Sequence, residues 1–166
     1  SQREIKWVLR GGTNATMAPQ YDYYEQIFLP TLHKLGIPSD AIEPTVVRRG
    51  YFPKGGGEVF VATKPCFKPL PPIVHTQRGD LKKIRLRAFH GGKCPKFVAH
   101  KMAKAAEQYV RSCHPKVPIH TTIVFDESVL GSGSGILLCA ETSSGCLLGG
   151  SALGSPKQSP NTVGIK

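Results

Sequence analysis

Two segments about thirty residues apart hold the side chains best suited to chemistry: Gly11-Gly12-Thr13-Asn14-Ala15-Thr16-Met17-Ala18-Pro19-Gln20-Tyr21-Asp22-Tyr23, and Arg49-Gly50-Tyr51-Phe52-Pro53-Lys54-Gly55-Gly56-Gly57-Glu58-Val59. In the first, Gly11 and Gly12 admit backbone conformations closed to other residues and let a ligand approach closely. Thr13, Asn14 and Gln20 supply hydroxyl and amide groups, and Pro19 presents a flat, rigid, apolar face on which a planar base can lie. A strand-to-helix connector with Asn14 and Asp22 as caps is the competing reading. In the second, Lys54 and three glycines suggest a phosphate cradle, with Arg48 and Arg49 completing a phosphate-facing patch if they converge. The G-x-x-x-x-G-K-[ST] pattern is absent. The segment runs into a strand, so no helix N-terminus points at a phosphate, and a hairpin turn explains it equally well.

Other chemistries find less support. Gly131-Ser132-Gly133-Ser134-Gly135-Ile136 can bind an anion through backbone amides, but reads better as a lead-in to a buried strand. Glu127 and Glu141 have no histidine partner in the pattern. The six histidines, His33, His75, His90, His100, His114 and His120, fall on expected helices, strand ends and a linker, and none is assigned a catalytic role. Cys66, Cys94, Cys113, Cys139 and Cys146 contain no C-x-x-C pair, which points to reduced thiols and not to a disulfide framework or a zinc site.

The elements that must position the loops follow from periodicity. Residues 4–9 alternate as a strand. From Tyr21 to Leu35 the apolar residues Tyr24, Ile27, Phe28, Leu32 and Leu35 recur at helical spacing, with Gly36 as the C-terminal stop and Pro30 expected to kink or split the helix. Ile42–Arg49 and Glu58–Thr63 read as strands joined by the glycine-rich turn, giving an α+β layer with one helix packed on a small sheet. Residues 64–79, rich in proline, read as a boundary. Beyond them come a strand at Lys83–Phe89 and a helix opened by Pro95 and running to about Ser112. That helix is expected to carry Phe97, Val98, Met102, Ala105, Ala106 and Tyr109 on one side. A strand at Val117–Phe125 follows, then a hairpin of Gly135–Glu141 and Gly145–Leu148 around Thr142-Ser143-Ser144-Gly145.

The chain has 166 residues, 22 Lys+Arg against 11 Asp+Glu, and a net charge of +11. That field attracts polyanions, and its dispersion along the chain suits a folded basic face. No run approaches the ~20 apolar residues of a bilayer-spanning helix, so no membrane partner is expected. Residues 1–10 lack the layout of a signal peptide, and both ends read as cut from a longer protein.

Taken together, GGTNATMAPQYDYY, FLPTLHKLGI and RRGYFPKGGGEVFV closely resemble the RNA 3′-terminal phosphate cyclase family. RLRAFHGGKCPKFVAHKMAKAA and GSGSGILLCAETSSGCLLGGSALG are similar to that family's insert domain. The resemblance covers about 4–154 and implies the following. Residues 1–68 would be part of the cyclase catalytic domain, a unit like the C-terminal domain of translation initiation factor 3, and 69–166 the insert. The family uses ATP and a divalent metal, Mg²⁺ or Mn²⁺. A histidine takes up AMP, AMP passes to an RNA 3′-phosphate, and the 2′-hydroxyl closes a 2′,3′-cyclic phosphate; the covalent step converts a poor leaving group into a good one. By resemblance Pro19 packs on adenine, and Gln20 and Asn14 line the same loop. The family's nucleophilic histidine lies in a C-terminal motif beyond this chain, so the catalytic set here is empty, the segment alone is expected to be inactive, and no metal ligand is assigned. The partner is an RNA with a 3′-terminal phosphate, and the expected compartment is the nucleus (nucleoplasm), with the cytoplasm also suited. The alternative is a non-catalytic cyclase-like protein of ribosome biogenesis, whose first loop departs from the T-N-x-x-M-A-P-Q kept here. Oligomeric state is not indicated.

Overall fold

The computed structural model describes residues 3–67 and 69–166. Its element types follow the α+β expectation: a three-stranded antiparallel sheet, a four-stranded mixed sheet, and helices connecting their strands. In the first sheet, β1 (Ile5–Gly11) and β2 (Ile42–Arg48) flank β3 (Gly57–Thr63). Pro44 is tolerated because β2 is an edge strand, where a missing N–H breaks no ladder on its open side. The second sheet has the order β5–β4–β6–β7, from β4 (Leu81–Gly91), β5 (Ile119–Asp126), β6 (Gly133–Thr142) and β7 (Leu147–Leu153). The β4–β5 pair is parallel and the other two pairs are antiparallel. The hairpin turns at 142–145, where Gly145 takes a positive φ and its N–H bonds Thr142 O. The last strand begins later and runs further than periodicity predicts, because Gly149 and Gly150 carry no side chain to signal it.

The first helix is interrupted as Pro30 requires. It consists of α1 (Tyr21–Tyr23), a π-helical turn (Tyr24–Phe28) and α2 (Leu29–Lys34). Pro30 has no N–H to return to the preceding turn, and Leu29 N–H reaches back to Tyr24 O instead. The partner of this helix differs from expectation. It packs on the second sheet, with Ile27 buried against Leu137 and Cys139. Gly149 makes this possible: a Cβ there would overlap Ile27 Cδ1 and Tyr23 Cε2. The first sheet keeps Ile5, Trp7, Leu9, Val47 and Phe60 about half exposed.

The main core lies between α3 (Lys96–Cys113) and the second sheet, where Leu86, Ala88, Ala99, Met102, Ala103, Ala106, Ile136 and Val163 interlock. The buried stripe of α3 is rotated from the expected one. Alanines face the sheet and let the helix lie close, while the bulky Phe97 and Tyr109 sit at its margins, about half exposed. Val163 enters the core from the short α4 (Pro160–Gly164), whose N-cap Ser159 accepts a bond from Thr162 N. The proline-rich connection, 64–67 and 69–80, has no regular structure; the expected boundary at 68/69 turns on Lys68, outside the described residues.

Candidate functional site

The two loops form one body. β1 ends with Gly11 paired to Gly57, the first residue of β3, which brings the loops side by side. Gly50 O accepts from Thr13 N at 2.9 Å and from Asn14 N at 3.3 Å, and Gly50 N donates to Thr13 Oγ1 at 3.1 Å. Thr13 O in turn accepts from Tyr21 N at 3.0 Å, which sets the start of α1. Only glycine fits at position 50. A Cβ would stand 2.4 Å from Gly57 N and 2.5 Å from Gly11 O, both rigid backbone atoms.

Beneath the loops lies a buried ion cluster. Asp22 is wholly enclosed and accepts a forked pair from Arg49, 2.7 Å from Nη1 to Oδ2 and 2.9 Å from Nη2 to Oδ1. Asn14 Nδ2 adds a third bond to Oδ2 at 3.3 Å. Arg87 Nε, from β4, stands 3.3 Å from Asp22 Oδ1, close enough for attraction but without hydrogen-bond alignment. On the other side, Arg49 Nε lies 3.3 Å from Asp126 Oδ1 in β5, and the Tyr51 hydroxyl donates to Asp126 Oδ2. Two cations and two anions thus balance, as buried charges must. Burial opposes the Arg49 charge, but Asp22 and Asp126 outweigh it and raise its pKa above the ordinary arginine value. Burial, then the bond to Asp126, drives the Tyr51 hydroxyl well above its ordinary value. The cluster ties the loop–helix junction and the glycine-rich loop to the second sheet.

Each expected site residue now has a place. Pro19 is exposed beside the fully exposed Met17, whose φ is +66°. Asn14 is buried, its Oδ1 accepting from Thr13 Oγ1 at 2.6 Å while Nδ2 holds Asp22, so both ends of the amide are committed to the loop. Gln20 is also buried, with Oε1 lacking a hydrogen-bond partner. Tyr21 is similar: its hydroxyl is unpartnered, and burial followed by Glu25 raises its pKa to about 12. The expected patch of Arg48, Arg49 and Lys54 does not converge. Arg48 Nε is spent on Gly56 O at 2.7 Å, Arg49 belongs to the ion cluster, and Lys54 alone is exposed. Asp22 is more than a cap, and Asp126 carries no signal in the sequence; both matter because distant elements bring two arginines to them.

The third glycine-rich stretch serves packing, as its strand lead-in reading implies: a Cβ at Gly133 would overlap the Tyr51 ring. Cys94, Cys113, Cys139 and Cys146 are thiols. Among the described residues no three His, Cys, Asp or Glu side chains gather as a metal site, and no helix is long and apolar enough to cross a membrane.

Residues 76–166 match the family model for the RNA 3′-terminal phosphate cyclase (RTC) insert domain, which is more than half of the chain. The chain belongs to the RNA 3′-terminal phosphate cyclase family. The chain is 36% identical over 164 residues to the RNA 3′-terminal phosphate cyclase of Ignicoccus hospitalis, covering 97% of this chain and 45% of that protein. It is 32% identical over 152 residues to the probable RNA 3′-terminal phosphate cyclase of Dictyostelium discoideum, covering 90% and 34%. It is also 35% identical over 154 residues to the RNA 3′-terminal phosphate cyclase-like protein of Homo sapiens, covering 92% and 41%. The chain therefore spans less than half the length of these cyclase-family relatives.

Proposed function

We propose that the protein carrying this chain converts an RNA 3′-terminal phosphate to a 2′,3′-cyclic phosphate at the expense of ATP. The observation that carries this reading is the braced first loop: the ion cluster fixes its base while Pro19 stays exposed at its tip. Support also comes from the relatives named as cyclases. Pro19 offers the apolar face for adenine, Gln20 Oε1 is an uncommitted acceptor in the same loop, and Asn14 keeps the loop in shape without touching the base. ATP supplies the adenylyl group that activates the RNA phosphate. Mg²⁺ or Mn²⁺ would neutralise the nucleotide phosphates, and no residue of this chain is assigned to hold it. The net charge of +11 draws in RNA, and we assign the protein to the nucleus, with a share in the cytoplasm.

The test is conversion of a 3′-phosphorylated oligoribonucleotide to a phosphatase-resistant end by the full-length protein with ATP and Mg²⁺. Pro19→Ala should raise the KM for ATP about tenfold, the equivalent of ~1.4 kcal/mol, with little change in stability. An unchanged KM removes Pro19 from the adenine site. The second reading is a non-catalytic cyclase-like protein of ribosome biogenesis, which the human relative, named only as cyclase-like, fits loosely. A full-length protein that binds RNA and never forms a cyclic end decides for it.

A further inference from the structure

The parallel β4–α3–β5 unit opens a cleft of about 500 Å³ that the laced loops do not use, lined by His90, Lys96, His100, Ile123 and Phe125. It lies toward the carboxyl ends of β4 and β5, where α/β units commonly take their ligands. His90 and Phe125 are register partners across the two strands, and their rings lie 4.9 Å apart at 32°. Phe125 is 51% exposed, so part of its ring opens onto the cleft. Lys96 and His100 stand one helical turn apart on α3 and face the same cleft, and His100 Nδ1 contacts Lys96 O at 3.0 Å. The lining holds no carboxylate, and Asp126, next to Phe125, is committed to Arg49 and Tyr51. β5 is an edge strand, so the cleft opens at the side of the sheet.

We infer that this cleft on the insert domain binds single-stranded RNA, with an unstacked base on Phe125 and the adjoining phosphate on Lys96, beside His100. The Lys96 ammonium, which faces no carboxylate in the cleft lining, suits a phosphate backbone. A half-exposed ring inside a concave, cationic cleft suits a base, because every base offers a π-face to an aromatic side chain. A duplex keeps its bases stacked and cannot present one in this way. The inference rests on RNA being the substrate. It locates a second contact, away from the adenine loop, that holds the strand upstream of the reacting end.

The experiment is fluorescence anisotropy of full-length protein with a labelled single-stranded oligoribonucleotide ending in a 3′-hydroxyl, so that no chemistry intervenes. Phe125→Ala and Phe125→Leu should each weaken binding about tenfold, since leucine keeps the packing on His90 but has no π-face. Lys96→Glu should weaken it at least as much and lower the salt slope by about one. Lys82→Glu, the same charge change at the opposite end of β4, should cost less than about threefold. Folded Phe125 variants that bind within twofold of the parent, or a Lys82→Glu loss equal to that of Lys96→Glu, overturn the inference. Cyclisation of a 3′-phosphorylated RNA by the same proteins separates the two readings. A cyclising enzyme indifferent to Phe125 refutes only the cleft. Phe125-dependent binding without cyclisation refutes only the cyclase assignment.

Discussion

Replacing Asp22 by Asn keeps the side-chain shape and removes the charge at the centre of the buried cluster. Asp22 is fully enclosed, receives both arms of the Arg49 fork, and stands 3.3 Å from Arg87 Nε. Removing one partner of a buried ion pair costs about 3–5 kcal/mol. Two features reduce that figure: Arg49 retains Asp126 at 3.3 Å, and the Arg87 side chain is 28% exposed. The expected loss is ~3 kcal/mol, at the low end of that range. With a urea m-value of about 2 kcal/mol/M, the midpoint falls by roughly 1.5 M. Circular dichroism reports on both sheets, whereas Trp7 fluorescence reports on β1 of the first. Because the cluster joins the loop junction to β4 and β5, the two transitions should coincide in the parent and separate in Asp22→Asn. A double-mutant cycle with Arg49→Met should give a coupling of at least ~2 kcal/mol. A loss below ~0.5 kcal/mol, or additive single mutants, would refute the claim that this pair braces the loops.

Gly50→Ala places a methyl group on backbone atoms of Gly11, Gly55 and Gly57 that cannot move aside, so it should destabilise by ~3 kcal/mol or more and expose the loops to limited proteolysis. Resistance equal to the parent contradicts that packing. Met102→Ala empties a fully buried position between α3 and the second sheet and should cost about 2–5 kcal/mol by thermal or urea unfolding. Stability should also fall at high pH. The folded pKa of Tyr21 is raised from 10.0 to about 12, and that of Tyr51 is raised as well. The protonated forms stabilise fully below pH 10.0, and that stability is lost as pH climbs through the folded values. Tyrosinate absorbance should therefore show Tyr21 and Tyr51 ionising late and together with unfolding, and early reversible ionisation of all five tyrosines would argue against it.

Much of the local structure was legible. Strand alternation, the Gly36 stop, the Pro30 interruption and the Pro95 opening are short-range effects of side-chain period and backbone freedom, and each appears close to its expected place. The misreadings share a cause. Spacing puts Phe97, Val98, Met102, Ala105, Ala106 and Tyr109 on one side of α3, yet the sheet takes Ala99, Met102, Ala103 and Ala106, because small side chains permit the closest approach. The strand at 147–153 was read short because glycines give no pattern. Arg49 belongs to the expected phosphate-facing patch in the sequence, since nothing near it reveals that Asp22 and Asp126 converge on it from 27 and 77 positions away.

The same division holds for function. By itself the sequence determined the family resemblance, a proline face in the first loop on which a base could lie, and a net charge suited to RNA. Those properties belong to side-chain identity and order, which a sequence carries directly. That the loops are one laced body, that Asn14 and Asp22 brace it, that Arg49 is locked into the ion cluster and that Arg48 Nε is bonded to Gly56 O were decided by the tertiary structure alone. Long-range pairing brings those groups together, and whether a charge is buried or solvated depends on neighbours that only the fold supplies.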